Sequence, residues 1–281
     1  MQLATIRESG LDVAVALDPP RGLVRLTDLT EPIEGGVLDV LASVPPDRFV
    51  ERVAATPADR FSPTAGHALT APYRRPHKIW GIGLNYRAHA DDLGAGYPDE
   101  PASFIKADHT VIGPGEPIPL PRQSHRVTAE AELGLVIGSY TRDVAEQDAV
   151  ARLWGVCPVL DQTAEDILQR NPRFLTRSKN FPGFFSFGPG ITPIGEVLAR
   201  FGSLAAIEVA TVRNGEVWRS GAVADMIFGP EFLVSFHSRV MPLYPGDIIS
   251  SGTPGAAVIA DGDTAECRIA GIGVLSNPVS G

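Results

Sequence analysis

Cysteine is scarce: the 281-residue chain has two, Cys157 and Cys267, both in apolar, strand-like contexts. Two thiols make no disulfide framework at this length, so they read as reduced, packed side chains. Basic charge is also short, with 24 Lys and Arg against 33 Asp and Glu and a net charge of −9. Sequence-independent nucleic-acid binding rests on Lys and Arg, so no nucleic-acid partner is expected. No run of about eighteen apolar residues occurs, so no membrane span is expected. Met1 to Glu8 lack the basic-then-apolar order of a signal peptide, and a cytoplasmic protein is expected. The chain has no Gly-x-Ser-x-Gly elbow and no P-loop. Gly81-x-Gly83 resembles the start of a dinucleotide loop, but Tyr86 stands where the third glycine belongs. No His or Cys lies at zinc-ligand spacing, and there is no internal repeat.

What is present favours a full core made of short strands. Hydrophobic residues are 44% of the chain, with 29 Gly and 25 Pro to shape loops. Residues 2–8, 11–17 and 22–26 read as a small antiparallel meander, with short helices over 38–44 and 50–55. Pro57 to Pro76 reads as a linker. This divides the chain into a small strand-rich N-terminal domain with its linker, 1–72, and a larger domain, 73–281. In the latter, strands are expected over 78–83, 103–106, 130–138, 155–160, 206–213, 217–220, 247–250 and 265–269. Helices are expected over 85–93, 147–153 and 230–240, and Asn214-Gly215 marks a hairpin turn. The class is α+β with a mixed β-sheet roll or barrel-like core.

Glu130-Ala131-Glu132 heads the apolar run Leu133 to Gly138. A strand alternates its faces, so the two glutamates point one way while Ala131, Leu133, Leu135 and Ile137 line the other. The plain reading is a solvated strand end. The chemical reading is half of a hard-cation site, because two adjacent carboxylates beside a buried strand repel unless a cation lies between them. Asp161 follows the apolar run 155–160 and is the candidate third ligand. Its alternative role is a helix N-cap, but Thr163 with Asp166 already forms a capping pattern. Three carboxylates with waters suit octahedral Mg²⁺ or Mn²⁺ and leave room for a substrate.

His89 and Asp92 lie three residues apart on the expected helix 85–93, which glycines bracket on both sides. A histidine with a carboxylate neighbour is a general-base arrangement on a segment able to swing as a lid. An incidental surface pair is the alternative.

A collinear set of short motifs then carries a resemblance. It runs Lys78-Ile79-x-Gly81-x-Gly83-Leu84-Asn85-Tyr86-x-x-His89, Phe104-Ile105-Lys106, Glu130-Ala131-Glu132-Leu133 and Asp161-x-Thr163-Ala164-x-Asp166. It continues through Thr176-Arg177-Ser178-Lys179-Asn180-Phe181, Met226-Ile227-Phe228 and Pro245-Gly246-Asp247 to Gly252-Thr253-Pro254, Gly271-Ile272-Gly273 and Asn277-Pro278-Val279. The set spans residues 76–279 and resembles the fumarylacetoacetate hydrolase family, in the form of a bacterial-type two-domain member. The resemblance implies a mixed β-roll catalytic domain, a homodimer and one Mg²⁺ or Mn²⁺ held by Glu130, Glu132 and Asp161. It implies that His89, with Asp92, activates water or moves a proton. Lys179 would assist at the reacting centre, and Lys106 and Thr253 would contact substrate. The implied substrates are small 2-oxo or 2,4-dioxo acids such as acylpyruvates, cleaved at a C–C bond through a metal-stabilised enolate. The same site would serve an isomerase or tautomerase, or an oxaloacetate-type decarboxylase; a non-catalytic acid-binding relative is a further alternative.

The chain departs from the family pattern in places. Asp92 stands where many members carry Glu, Glu165 where many carry Arg, and Pro182 replaces an Asp. The loop Gly255 to Ala260 is short and apolar. If Glu165 faces the pocket, it disfavours a second carboxylate on the substrate.

Overall fold

The computed structural model describes the whole chain except residues 93 and 95, and of Asp92 only the backbone. The N-terminal strands β1 (Gln2–Glu8), β2 (Leu11–Asp18) and β3 (Gly22–Arg25) form the expected antiparallel meander. Helices α1 (Val37–Ser43) and α2 (Pro46–Ala55) follow, then β4 (Ala68–Thr70) and β5 (Ile79–Gly83). Helix α3 (Arg87–Asp92) precedes β6 (Ala102–Lys106), β7 (Val111–Ile112) and β8 (Ile118–Pro119). Two long strands, β9 (Val127–Ile137) and β10 (Leu153–Ala164), flank α4 (Glu146–Ala149). Helices α5 (Glu165–Arg170) and α6 (Leu175–Lys179) lead to β11 (Phe185–Phe187), β12 (Gly190–Pro193) and α7 (Ile194–Phe201). The hairpin β13 (Glu208–Arg213) and β14 (Glu216–Ala222) precedes α8 (Pro230–Val240). The chain closes with β15 (Ile248–Ser250), β16 (Ala256–Ile259), β17 (Thr264–Ile269) and β18 (Gly273–Ser280).

These strands make two sheets. The larger has thirteen strands, nine of them along the path β3-β2-β1-β12-β10-β9-β15-β5-β6 and β4, β7, β11 and β16 off it; the smaller runs β14-β13-β17-β18-β8. Parallel and antiparallel pairs mix, as β5 with β15 and β9 with β10 show. The architecture is α+β, and the strand orders of the described residues close no barrel. No helix among them is long and apolar enough to cross a membrane. The proposed division at residue 72 falls between β4 and β5, and one sheet runs across it through the pairing of β1 with β12.

The β9–β10 pair is the spine and is covered on both faces. Ala131, Leu133, Leu135 and Ile137 lie in one core cluster with Leu160 and residues of the smaller sheet, such as Val209 and Leu275. Val136, Cys157 and Val159, from the opposite face, pack with Leu3, Val24, Phe49 and Trp154. Burial of each such leucine or valine contributes about 1.5–3 kcal/mol. Both cysteines are buried and free.

Two local outcomes depart from sequence expectation. The strand expected to end at residue 160 runs to Ala164, with Pro158 in its middle. Pro158 falls between the residues that pair with β12 (Gly155 and Val156) and those that pair with β11 (Val159 to Asp161), where a missing N–H breaks no paired segment. The capping pattern of Thr163 with Asp166 does not form either. Helix α5 has Ala164 at its N-cap with no side-chain cap, because Thr163 points to the carboxylate face instead. Asn214 and Gly215 both adopt positive φ, 53° and 84°, which gives the expected tight hairpin turn.

Candidate metal and active site

The register of β9 and β10 assembles the carboxylates. Asp161 lies directly opposite Glu130, and Val159 opposite Glu132, so all three acids share one face of the antiparallel pair. Their ligand oxygens lie within 4.8 Å of one another. Glu132 and Asp161 are buried and Glu130 is half-buried.

Each carboxylate is fixed by donors. Glu132 Oε2 accepts the Ser250 hydroxyl at 2.5 Å and the Gly252 N–H at 2.9 Å. Gly252 has φ +98°, and a Cβ there would meet the Asn85 Cβ at 2.7 Å, so the motif glycine is needed for backbone shape as well as for contact. Glu130 Oε1 accepts Thr128 at 2.9 Å and Thr163 at 2.5 Å, both of which share its sheet face. Lys179 Nζ bridges Glu130 Oε2 and Asp161 Oδ2, each at 2.9 Å. Lys106 Nζ is ion-paired with Asp161 Oδ1 and reaches the Gln162 carbonyl at 3.3 Å.

The electrostatics follow from burial without enough cations. Burial, then the Asp161 charge, push the Glu132 carboxyl up to about 8, against Lys179 and the Ser250 hydrogen bond. Burial opposes ionisation of Glu130 too, but Lys179, Thr163 and His89 together hold its carboxyl below the usual value. The Lys106 ammonium is lowered to about 8, chiefly by burial and against the attraction of Asp161. Lys179 is raised, because Asp161, Glu130 and Glu132 outweigh its burial.

This donor set fits a hard divalent cation. It offers carboxylate oxygens alone, in one cluster, and one of its members stays protonated near neutral pH unless more positive charge arrives. Glu130, Glu132 and Asp161 could hold Mg²⁺ or Mn²⁺.

A cavity of about 230 Å³ reaches the carboxylate cluster at Glu130, the one of the three that lines it, together with His89, Thr163, Glu165, Lys179 and Thr253. Sequence reasoning placed His89, Lys179 and Thr253 here and left the direction of Glu165 open; all four line the cavity. Lys106, the other expected substrate contact, is not in the lining: its side chain is fully buried and ion-paired with Asp161. The Thr253 hydroxyl is engaged by its own loop, donating to the Gly255 carbonyl at 3.1 Å. Asp92, the expected partner of His89, lies outside the described side chains. Glu165 is ion-paired with Arg126, a residue that sequence reasoning missed. Thr128 was also missed, although alternation along the strand places it on the face of Glu130.

The chain is similar to known proteins over most of its length. A family model, fumarylacetoacetate (FAA) hydrolase C-terminal, matches residues 78–280. An uncharacterized protein of Pyrococcus abyssi is 38% identical over 210 residues, 73% of this chain and 91% of that protein. The mitochondrial oxaloacetate tautomerase FAHD2A of Homo sapiens is 32% identical over 226 residues, 77% of this chain and 71% of that protein. Among solved structures, a 5-carboxymethyl-2-hydroxymuconate delta-isomerase from Mycobacterium smegmatis superposes with a TM-score of 0.77 at 29% identity, covering 100% of this chain and 98% of that one.

Proposed function

The chain belongs to the fumarylacetoacetate hydrolase family, and from that premise we propose that it is a divalent-metal-dependent enzyme that cleaves a C–C bond in a 2-oxo or 2,4-dioxo acid of the acylpyruvate kind. The observation that carries the reading is the carboxylate triad on one sheet face, whose Glu130 lines a cavity together with His89 and Lys179. Glu130, Glu132 and Asp161 would hold Mg²⁺ or Mn²⁺, which when bound supplies a Lewis acid for the 2-oxo group and carboxylate.

The chain's own residues supply the rest. His89 takes a proton from water as the oxygen attacks the carbonyl remote from the carboxylate. The C–C bond breaks, and its electron pair passes to the departing pyruvate fragment as an enolate. Lys179, held among the acids, meets the negative charge that develops there. His89 returns the proton to the enolate carbon. Lys106 neutralises Asp161 from behind and positions it.

A second reading, tautomerisation, is favoured by the oxaloacetate tautomerase relative. In it His89 moves a proton between carbon and oxygen and no water attacks. Product analysis separates the two. With Mn²⁺ and an acylpyruvate, hydrolysis gives pyruvate and a free acid, while tautomerisation leaves the mass unchanged. Unchanged mass with every acylpyruvate overturns the leading reading, and release of CO₂ from oxaloacetate points to decarboxylation. We further propose a cytoplasmic homodimer; the two free, buried thiols support a reducing compartment.

A further inference from the structure

The far wall of the cavity bears on the substrate's other end, given the function proposed above. Apart from Phe104, whose ring lies 4.8 Å from the Lys179 ammonium at the metal end, the apolar lining is aliphatic: Ile82, Leu84, Leu168, Pro172 and Leu175. Among the described residues, the charged or titratable ones in the lining are His89, Glu130, Glu165 and Lys179. Lys179 is held at the metal end by Glu130 and Asp161. Glu165 is the charge nearest the outer wall in sequence, on the first turn of α5, and its cation Arg126 is half-exposed and not part of the lining. A distal carboxylate would therefore meet hydrocarbon and a glutamate, with no lysine or arginine of the described lining left to receive it, and burying a charge without a partner is strongly unfavourable. The cavity volume of about 230 Å³ falls below the roughly 300–1,000 Å³ of typical ligand pockets, which suits a small substrate.

Leu84 adds an independent sign that this wall is shaped for a ligand. It has φ +54°, a left-handed conformation that a branched side chain adopts only under constraint. The constraint is the next residue. The Asn85 Nδ2 donates to the carbonyls of Phe228 and Ser251 at 3.0 and 2.7 Å, and its Oδ1 accepts the Phe228 N–H at 2.9 Å. The clamp holds the Leu84 side chain in the cavity wall.

We propose that the substrate carries a short, uncharged, apolar acyl tail, seated against Leu84, Leu168 and Leu175, and that these residues set its specificity. The test is a panel of neutral acylpyruvates of increasing tail length and dicarboxylates, fumarylpyruvate and oxaloacetate, with Mn²⁺. We expect kcat/KM to favour the short neutral tails at least about tenfold over the dicarboxylates and to fall once the tail outgrows the cavity. Leu168→Arg, which puts a cation in the wall, should narrow that ratio about tenfold or more. Dicarboxylates turned over as well as neutral tails would overturn the proposal and leave the proposed chemistry standing. If no 2-oxo acid is turned over, the chemistry falls instead, and the tail is decided by displacement of oxalate from the Mn²⁺-loaded protein. Tighter displacement by the neutral compounds upholds the proposal; tighter displacement by the dicarboxylates, or none by either, overturns it.

Discussion

Replacing Glu132 by glutamine should make the metal-free protein more stable at pH 8. Glu132 is 1% exposed, and its carboxyl is pushed from 4.5 up to about 8 by burial and by Asp161. The folded state therefore holds a proton that the unfolded chain releases near its ordinary value. The stability this gives is fully present below about pH 4.5 and is lost as pH rises toward 8. At about 1.4 kcal/mol per pH unit, the loss over that window is on the order of 5 kcal/mol as an upper bound, because Asp161 and Glu130 share in it. In a chain of this size that is roughly 10 °C in melting temperature. The replacement amide can still accept from Ser250 and Gly252 through its carbonyl and can donate toward Asp161 through its NH₂, so the variant keeps the packing. Melting curves of metal-free wild type and Glu132→Gln from pH 5 to 8.5 are the assay. The wild type should lose stability with rising pH relative to the variant, and the two curves should converge toward pH 5. Parallel curves, or a variant less stable than wild type at pH 8.5, would refute the reasoning. The same proton links to metal: below pH 8, affinity for Mn²⁺ should fall by up to about tenfold per pH unit, because binding must expel it.

Other consequences follow from the same geometry. Lys106→Met should change Mn²⁺ affinity about tenfold or more while leaving KM at saturating metal within about threefold, since Lys106 touches Asp161 and not the cavity; a large rise in KM alone would restore it as a substrate contact. Asn85→Ala should cost on the order of 2–4 kcal/mol in urea unfolding, because it strands the buried Ser251 carbonyl and the part-buried backbone groups of Phe228; a loss under about 1 kcal/mol would contradict the clamp. Glu165→Arg should move kcat/KM toward dicarboxylates, since it places a second cation beside Arg126; an unchanged ratio would confine Glu165 to its ion pair and the first turn of α5.

Much of this was legible in the sequence where the signal is local. Alternation along residues 130–137 set the acids on one face and Leu133 and Leu135 on the other, and both outcomes hold. The N-terminal meander, the Asn214-Gly215 turn and the helix from Pro230 to Val240 follow from turn chemistry and apolar spacing. The misses come from contacts between residues distant in sequence. Thr163 looked like a cap because Asp166 follows it, yet its partner is Glu130, which only strand pairing brings near. Arg126 carries no motif, and its relation to Glu165 depends on the β9–β10 register. The position of Lys106 behind Asp161 was equally hidden, since a strand lysine beside a motif reads the same whether it faces substrate or the back of a ligand.

The central claim is that Glu130, Glu132 and Asp161 hold one divalent metal on which a 2-oxo acid docks. Electron paramagnetic resonance of Mn²⁺ titrated into the protein, with and without oxalate as an enolate mimic, tests it most directly. One tight site per chain is predicted, with a spectrum that oxalate changes and with binding abolished in Glu130→Ala, Glu132→Ala and Asp161→Ala proteins that remain folded. Full Mn²⁺ occupancy in any of the three variants, or a spectrum that oxalate leaves untouched, would contradict the account.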